Sequence, residues 1–220
     1  MAMVLKRRFE TVLFRRMSHG ACVVAALLLM SGCAGALRKP APNRRTFLFE
    51  ATPQQESAEA PVSGRVLRVH RASAAPPYQT KQFVYRRKDD LFATDFYNGF
   101  LVLPAETLAE EVTRWLRHSG LFAIVSRDTD RVLPDCHLET RVEALYVDMR
   151  PVTSEAVLQL RFLLTDSRDD VLLVKTYAAS RAVGEQQGAG ARMAAWNEAL
   201  QDILTQFESD VRERLQGRTK

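Results

Sequence analysis

Between residues 138 and 177 the chain runs three times through strand-like apolar patterns, and this is what most limits its fold. Leu138, Thr140, Val142, Ala144 and Tyr146 alternate with Glu139, Arg141 and Glu143. Leu158, Leu160, Phe162 and Leu164 then alternate with Gln159, Arg161 and Leu163, and residues 171–177 (VLLVKTY) form a third run. Alternation puts one side-chain class on each face of a strand. The links hold Pro151 and then Asp166-Ser167-Arg168-Asp169-Asp170, which is turn chemistry. Links this short join neighbours as an antiparallel meander.

The apolar face of such a sheet needs a cover, and the sequence supplies two helices. Ala105, Leu108, Val112, Trp115 and Leu116 recur at helical spacing after Pro104, and Gly120 closes the stretch. Proline suits the first helical position, and glycine suits the left-handed residue past the end. After the loop 184–190, Trp196, Leu200, Ile203, Phe207 and Val211 step by three and four, a stripe that must face a sheet or another helix. Further strands are expected at 46–50, 65–70, 82–86 and 91–95, with a turn at 88–90 and a short segment at 122–125. The fold class is therefore α+β: an antiparallel β-sheet with two main helices packed on one face.

The N-terminus carries a different message. Lys6, Arg7, Arg8, Arg15 and Arg16 precede the apolar run 21–30 (ACVVAALLLM), which closes on Ser31-Gly32-Cys33. A basic stretch, a short apolar stretch and a small-residue site describe a secretory signal peptide. The run is far short of the roughly 20 residues that cross a hydrocarbon core. A start at Met17 in place of Met1 would remove the arginine-rich beginning. The segment resembles a bacterial lipobox, with Met30 where leucine is more common. That resemblance implies diacylglycerol on Cys33, cleavage before it and acylation of the new amine. The alternative is an ordinary secretory peptide in which Cys33 is incidental. Ala34, in place of Asp, implies by resemblance to sorted lipoproteins the periplasmic face of the outer membrane. The expected organisation is a signal peptide at 1–32, lipidated Cys33 with a Pro-rich tether and short first strand at 33–64, and one α+β domain at 65–220. The thirteen residues 34–46 span at most roughly 40 Å, which keeps the body near the bilayer.

Charge and cysteine usage fit that reading. Five of the 31 lysines and arginines and one of the 26 acidic residues precede Cys33, leaving 26 against 25. A nucleic-acid partner would call for a clustered basic face, and none is expected. The pairs Arg44-Arg45 and Arg86-Arg87-Lys88 read as solvated strand ends. Past Cys33, Cys136 is the single remaining thiol, so no internal disulfide is available and stability must come from an ordinary core.

No catalytic pattern stands out, and neither cofactor nor metal is expected. His70, His118 and His137 are scattered without metal-ligand spacing. Asp135-Cys136-His137 sets a thiol beside an imidazole, but adjacent strand residues point to opposite faces. No nucleophile elbow or phosphate-cradling loop is present, and residues 184–188 (GEQQG) read as a plain loop. The unusual segment is 95–104 (DFYNGFLVLP), which gathers aromatic and aliphatic residues around Asn98-Gly99 ahead of a helix. It reads either as a connection entering the core or as a contact surface using exposed aromatics as anchors. Phe96, Tyr97 and Phe100 are the candidate partner-binding residues.

Taken in order, the lipobox, the Pro-rich tether, Val84-Tyr85-Arg86, the aromatic segment 96–100, Ser119-Gly120-Leu121-Phe122, Leu145-Tyr146-Val147-Asp148, residues 173–177 and Ala195-Trp196-Asn197-Glu198-Ala199-Leu200 make a recognisable series. It resembles the ABC-type transport auxiliary lipoproteins, the PqiC-like family, over roughly residues 30–214. The first strand departs, since Phe47-Leu48-Phe49 lacks the tyrosine of the pattern. The resemblance implies a non-enzymatic lipoprotein of an envelope ABC/MCE-type transport system for lipids or apolar compounds. It would act in docking or scaffolding, with MCE-domain or ABC transporter subunits as partners, the membrane reached through its lipid, and self-assembly into a homo-oligomer. The competing expectations are a periplasmic carrier that holds the lipid or ligand itself and, ranked below it, a periplasmic hydrolase.

Overall fold

The computed structural model describes residues 43–52, 61–150, 152, 154–184 and 188–217. The signal peptide, Cys33 and the tether up to residue 42 lie outside the described residues. Among the described residues, nine strands and two long helices follow Arg44: β1 (Arg45–Phe47), β2 (Ser63–Val69), β3 (Ser73–Ala74), β4 (Gln82–Arg86), β5 (Phe92–Phe100), α1 (Pro104–His118), β6 (Phe122–Arg127), β7 (Cys136–Asp148), β8 (Glu155–Asp166), β9 (Val171–Ala182) and α2 (Ala189–Gly217).

The meander expected from residues 138–177 is present as β7-β8-β9, antiparallel throughout, with Thr140 opposite Phe162 and Leu160 opposite Tyr177. Its turn closes on Asp166, whose Oδ1 accepts the N–H groups of Arg168 and Asp170 while Asp169 takes a positive φ of 65°. The rest of the sheet is mixed, with parallel pairings added to the antiparallel ones. The free edge of β7 is long enough for three strands in succession, all parallel to it. Leu67 to Val69 of β2 lie opposite Cys136 to Leu138, β3 lies opposite Arg141 and Val142, and the end of β4 lies opposite Val147 and Asp148. Beyond β2 the sheet continues into β6, also parallel. Beyond β4 it continues into β5, antiparallel, and then β1, parallel to β5. The sheet is thus forked, with β7, β8 and β9 as its stem.

Strand β1 is integral to one prong: Leu101 donates its N–H to the Phe47 carbonyl, and Phe49 and Ala51 are buried. The folded body therefore begins at Arg44, some twenty residues before the boundary at 65 expected from the sequence.

One face of the stem is sealed. Ala156, Leu158, Leu160, Phe162 and Leu164 are buried, and α2 lies over β8 and β9. Phe207 stacks on Phe162 at 4.2 Å between centroids, and Trp196 meets Phe83 at 4.9 Å and Phe100 at 5.7 Å. Helix α1 packs over β6 and β7 beside α2, joined to it by Trp115 Nε1 donating to Glu208 at 2.9 Å. Pro104 opens α1, and Gly120, just past its end, has φ 65°. Tyr177 and Lys175 both donate to Asp210 at 2.6 Å, which ties α2 to β9.

Candidate functional site

The aromatic segment singled out in the sequence is the second half of β5, and it is distorted. From the pair Val84–Thr94 to the pair Gln82–Gly99, β5 advances five residues while β4 advances two. The surplus residues form a bulge, which re-aims side chains away from the regular pleat. Asp95 builds it. Its Oδ1 accepts the backbone N–H of Tyr97 at 2.8 Å and of Asn98 at 3.1 Å, and its Oδ2 accepts Asn98 Nδ2 at 2.9 Å and the Tyr85 hydroxyl at 2.5 Å. Arg192 of α2 donates to that hydroxyl at 3.0 Å. Gly99 is required where the chain rejoins the ladder, because a Cβ there would lie 2.3 Å from the Lys81 carbonyl oxygen.

The bulge divides the three candidate residues. Phe96 and Tyr97 project into solvent at 53% and 55% exposure, with their rings edge-to-face at 5.3 Å. The Arg44 guanidinium sits 4.5 Å above the Phe96 ring. Phe100 is 2% exposed and packs with Phe49, Phe83 and Trp196. It is a core residue, and the candidate surface contracts to Phe96 and Tyr97.

The electrostatics under the bulge are set by Asp95. Burial works to raise its pKa, but the bonds from Tyr85, Asn98 and the two backbone N–H groups outweigh it, holding the carboxyl below its ordinary value. Burial, reinforced by the bond to Asp95, pushes the Tyr85 hydroxyl far up, against the opposing pull of Arg192. A carboxyl whose folded pKa is depressed stabilises the fold above its unfolded pKa of about 3.9, and that contribution disappears as pH falls through the folded value. Asp95→Asn is therefore expected to lower the urea midpoint at pH 7, with the gap to the parent narrowing as pH falls from the unfolded pKa through the folded value. A gap that persists unchanged at low pH would show that the carboxylate charge is not what holds the bulge.

A second feature lies in the fork. Between the prong of β2 and β6 and the prong of β4, β5 and β1, over the first turns of α1, runs an open groove of about 1010 Å³. Phe49, Ala74, Tyr78, Ala105 and Ala109 floor it, and Leu48, Leu101 and Leu103 stand half-exposed on its rim. Arg71, Arg127, Glu106 and Glu110 mark its charged end, where Arg127 pairs with Glu110 at 3.2 Å. The Thr107 hydroxyl, on a buried side chain of the lining, has no hydrogen-bond partner among the described residues. No sequence motif announced this groove, because its walls come from four separate stretches of chain.

The remaining chemistry-bearing residues are placed as follows. Cys136 is fully buried, and burial pushes its thiol up despite Arg65 Nη1 at 4.0 Å from Sγ. His137, on the opposite face, meets His70 instead: the parallel register of β2 and β7 sets His70 Nε2 2.9 Å from His137 Nδ1, while Asp128 holds His70 Nδ1 at 2.7 Å. His118 Nδ1 lies 2.7 Å from the Arg114 carbonyl oxygen. Among the described residues no three His, Cys, Asp or Glu side chains are grouped to hold a metal, and no helix is long and apolar enough to cross a membrane.

No protein-family model matches the chain, and no curated protein matches it. Solved structures do share the fold. A crystal structure of a Xanthomonas campestris protein of the DUF330 family aligns with TM-score 0.67 and 21% identity, over 78% of this chain and 95% of its own. Another, of an uncharacterized protein, aligns with TM-score 0.56 and 10% identity, over 76% and 99%. At these identities the likeness establishes the α+β fold and nothing further.

Proposed function

We propose that this chain is an envelope lipoprotein, held by lipid on Cys33 at the periplasmic face of the outer membrane. Its folded body acts as a docking or scaffolding subunit of an ABC/MCE-type system that moves lipids or other apolar compounds. The observation that carries the docking role is the groove in the forked sheet, which is open to solvent and bordered by half-exposed leucines. Exposed apolar side chains around a preformed concavity suit a partner that inserts its own apolar side chains. The order of sequence features, from the lipobox to the C-terminal helix, supports the choice of transport system. No catalytic step belongs to this proposal.

A second reading has its own support. The unpartnered Thr107 hydroxyl in an apolar lining suits a carrier whose cargo brings one polar group into the groove. Photoreactive residues at Leu101 and Leu103 in the envelope-resident protein separate the two. Docking is expected to give protein adducts of defined mass, including self-adducts if copies assemble. Adducts to lipid alone would select the carrier, and the absence of any adduct at both sites would refute both readings.

A further inference from the structure

We infer that the Phe96–Tyr97 bulge is where the folded body rests on the membrane, its two rings seated among the headgroups of an anionic lipid surface. The inference rests on the reading that Cys33 carries the lipid. Where the chain enters the fold is the first argument. Strand β1 runs parallel to β5 with Arg45 opposite Asn98, so Arg44 arrives beside the bulge, and its guanidinium covers Phe96. The ten residues between Cys33 and Arg44 let the two stand at most about 40 Å apart even when fully extended. The exposed aromatics therefore lie beside the point where the anchored chain enters the fold. The groove rim, by contrast, lies past the other end of β1 and β5, at Leu48 and Leu101.

Charge is the second argument. Arg44, Arg45, Arg87 and Lys88 are exposed along this prong, and Arg45, Arg87 and Lys88 have no ion pair among the described residues. Of the two exposed acids of the β4–β5 turn, Asp89 and Asp90, Asp89 pairs with Arg150. Leu91 and Phe92, 47% and 44% exposed at the same turn, extend the apolar element. Aromatic rings with apolar bodies beside basic side chains are the composition that sits at a lipid headgroup layer. A lipid anchor combined with a basic and aromatic contact also holds a protein more firmly than either alone. The network of Asp95, Tyr85 and Arg192 fixes the bulge to α2 and β4 from below, so the rings are presented on a rigid support.

The test uses the lipidated mature protein in phosphatidylethanolamine and phosphatidylglycerol vesicles containing brominated phospholipid. Tyr97→Trp provides the reporter, and Leu133→Trp, on a loop where Leu133 is 90% exposed, provides the control. The emission that Tyr97→Trp adds to that of the parent protein, whose own Trp115 and Trp196 are buried, is expected to fall about two-fold relative to vesicles without bromine, with little change in the emission added at 133. Equal quenching at both sites, or none at 97 in protein that floats with the vesicles, would overturn the inference. So would a tryptophan at 97 that is unquenched in vesicles but shielded in native envelopes, since that surface would then belong to a protein. Protein that does not float at all would instead contradict lipidation at Cys33, and with it the premise.

Discussion

Trp196→Ala is expected to lower the unfolding free energy by about 3–5 kcal/mol, the range for truncating a fully buried large aromatic side chain. Trp196 is 0% exposed and stands where three parts of the fold meet. Its ring touches Phe83 of β4 and Phe100 of β5, and its Nε1 donates to the Val157 carbonyl of β8 at 3.2 Å. Truncation removes those contacts and leaves a cavity that α2 cannot fill, because Met193, Ala199 and Leu200 are already buried. In a body of this size the loss corresponds to roughly 10 °C in Tm. Leu133→Ala, at an exposed loop position, is expected to change stability by no more than about 0.5 kcal/mol. Thermal and urea denaturation measure both. A loss under about 1 kcal/mol at Trp196 would mean that α2 is not seated on the sheet as described.

The other large effect concerns the membrane. A chain exported behind an ordinary secretory leader and carrying Cys33→Ala is expected to leave the membrane pellet, its bound fraction falling about ten-fold or more, because several acyl chains are what make anchoring stable. Whatever remains bound is expected to wash off in high salt, since a basic and aromatic contact is screened by ions. Firm retention after the salt wash would contradict anchoring through this cysteine. Fractionation followed by immunoblotting reads the outcome.

Much of the fold was legible because much of it is local. The helical stripe from Ala105 to Leu116, with Pro104 before it and Gly120 after it, bounds α1 within two residues. Alternation from Leu138 to Leu164 gives β7 and β8, and the Asp-rich turn joins β8 to β9. The parallel additions to β7 left no comparable trace. Leu67 meets Cys136 only through tertiary register, and β3 is two residues long, too short to carry a period. Strand β5 runs on to Phe100, and the end expected at Asp95 falls short because the bulge interrupts its alternation there. For the same reason the sequence could not separate buried Phe100 from exposed Phe96 and Tyr97. His70 and His137 looked scattered, since nothing in a separation of 67 positions foretells the register that pairs them. The groove was invisible for a related reason, as Leu48, Tyr78, Leu103 and Arg127 converge only once the sheet has forked.

The lipid anchor is the claim on which the rest depends, and mass spectrometry of the protein purified from envelopes tests it most directly. The N-terminal peptide is expected to begin at Cys33 and to carry the mass of a thioether-linked diacylglycerol plus an amide-linked acyl chain. An unmodified Cys33, or a mature N-terminus elsewhere in the chain, would contradict it.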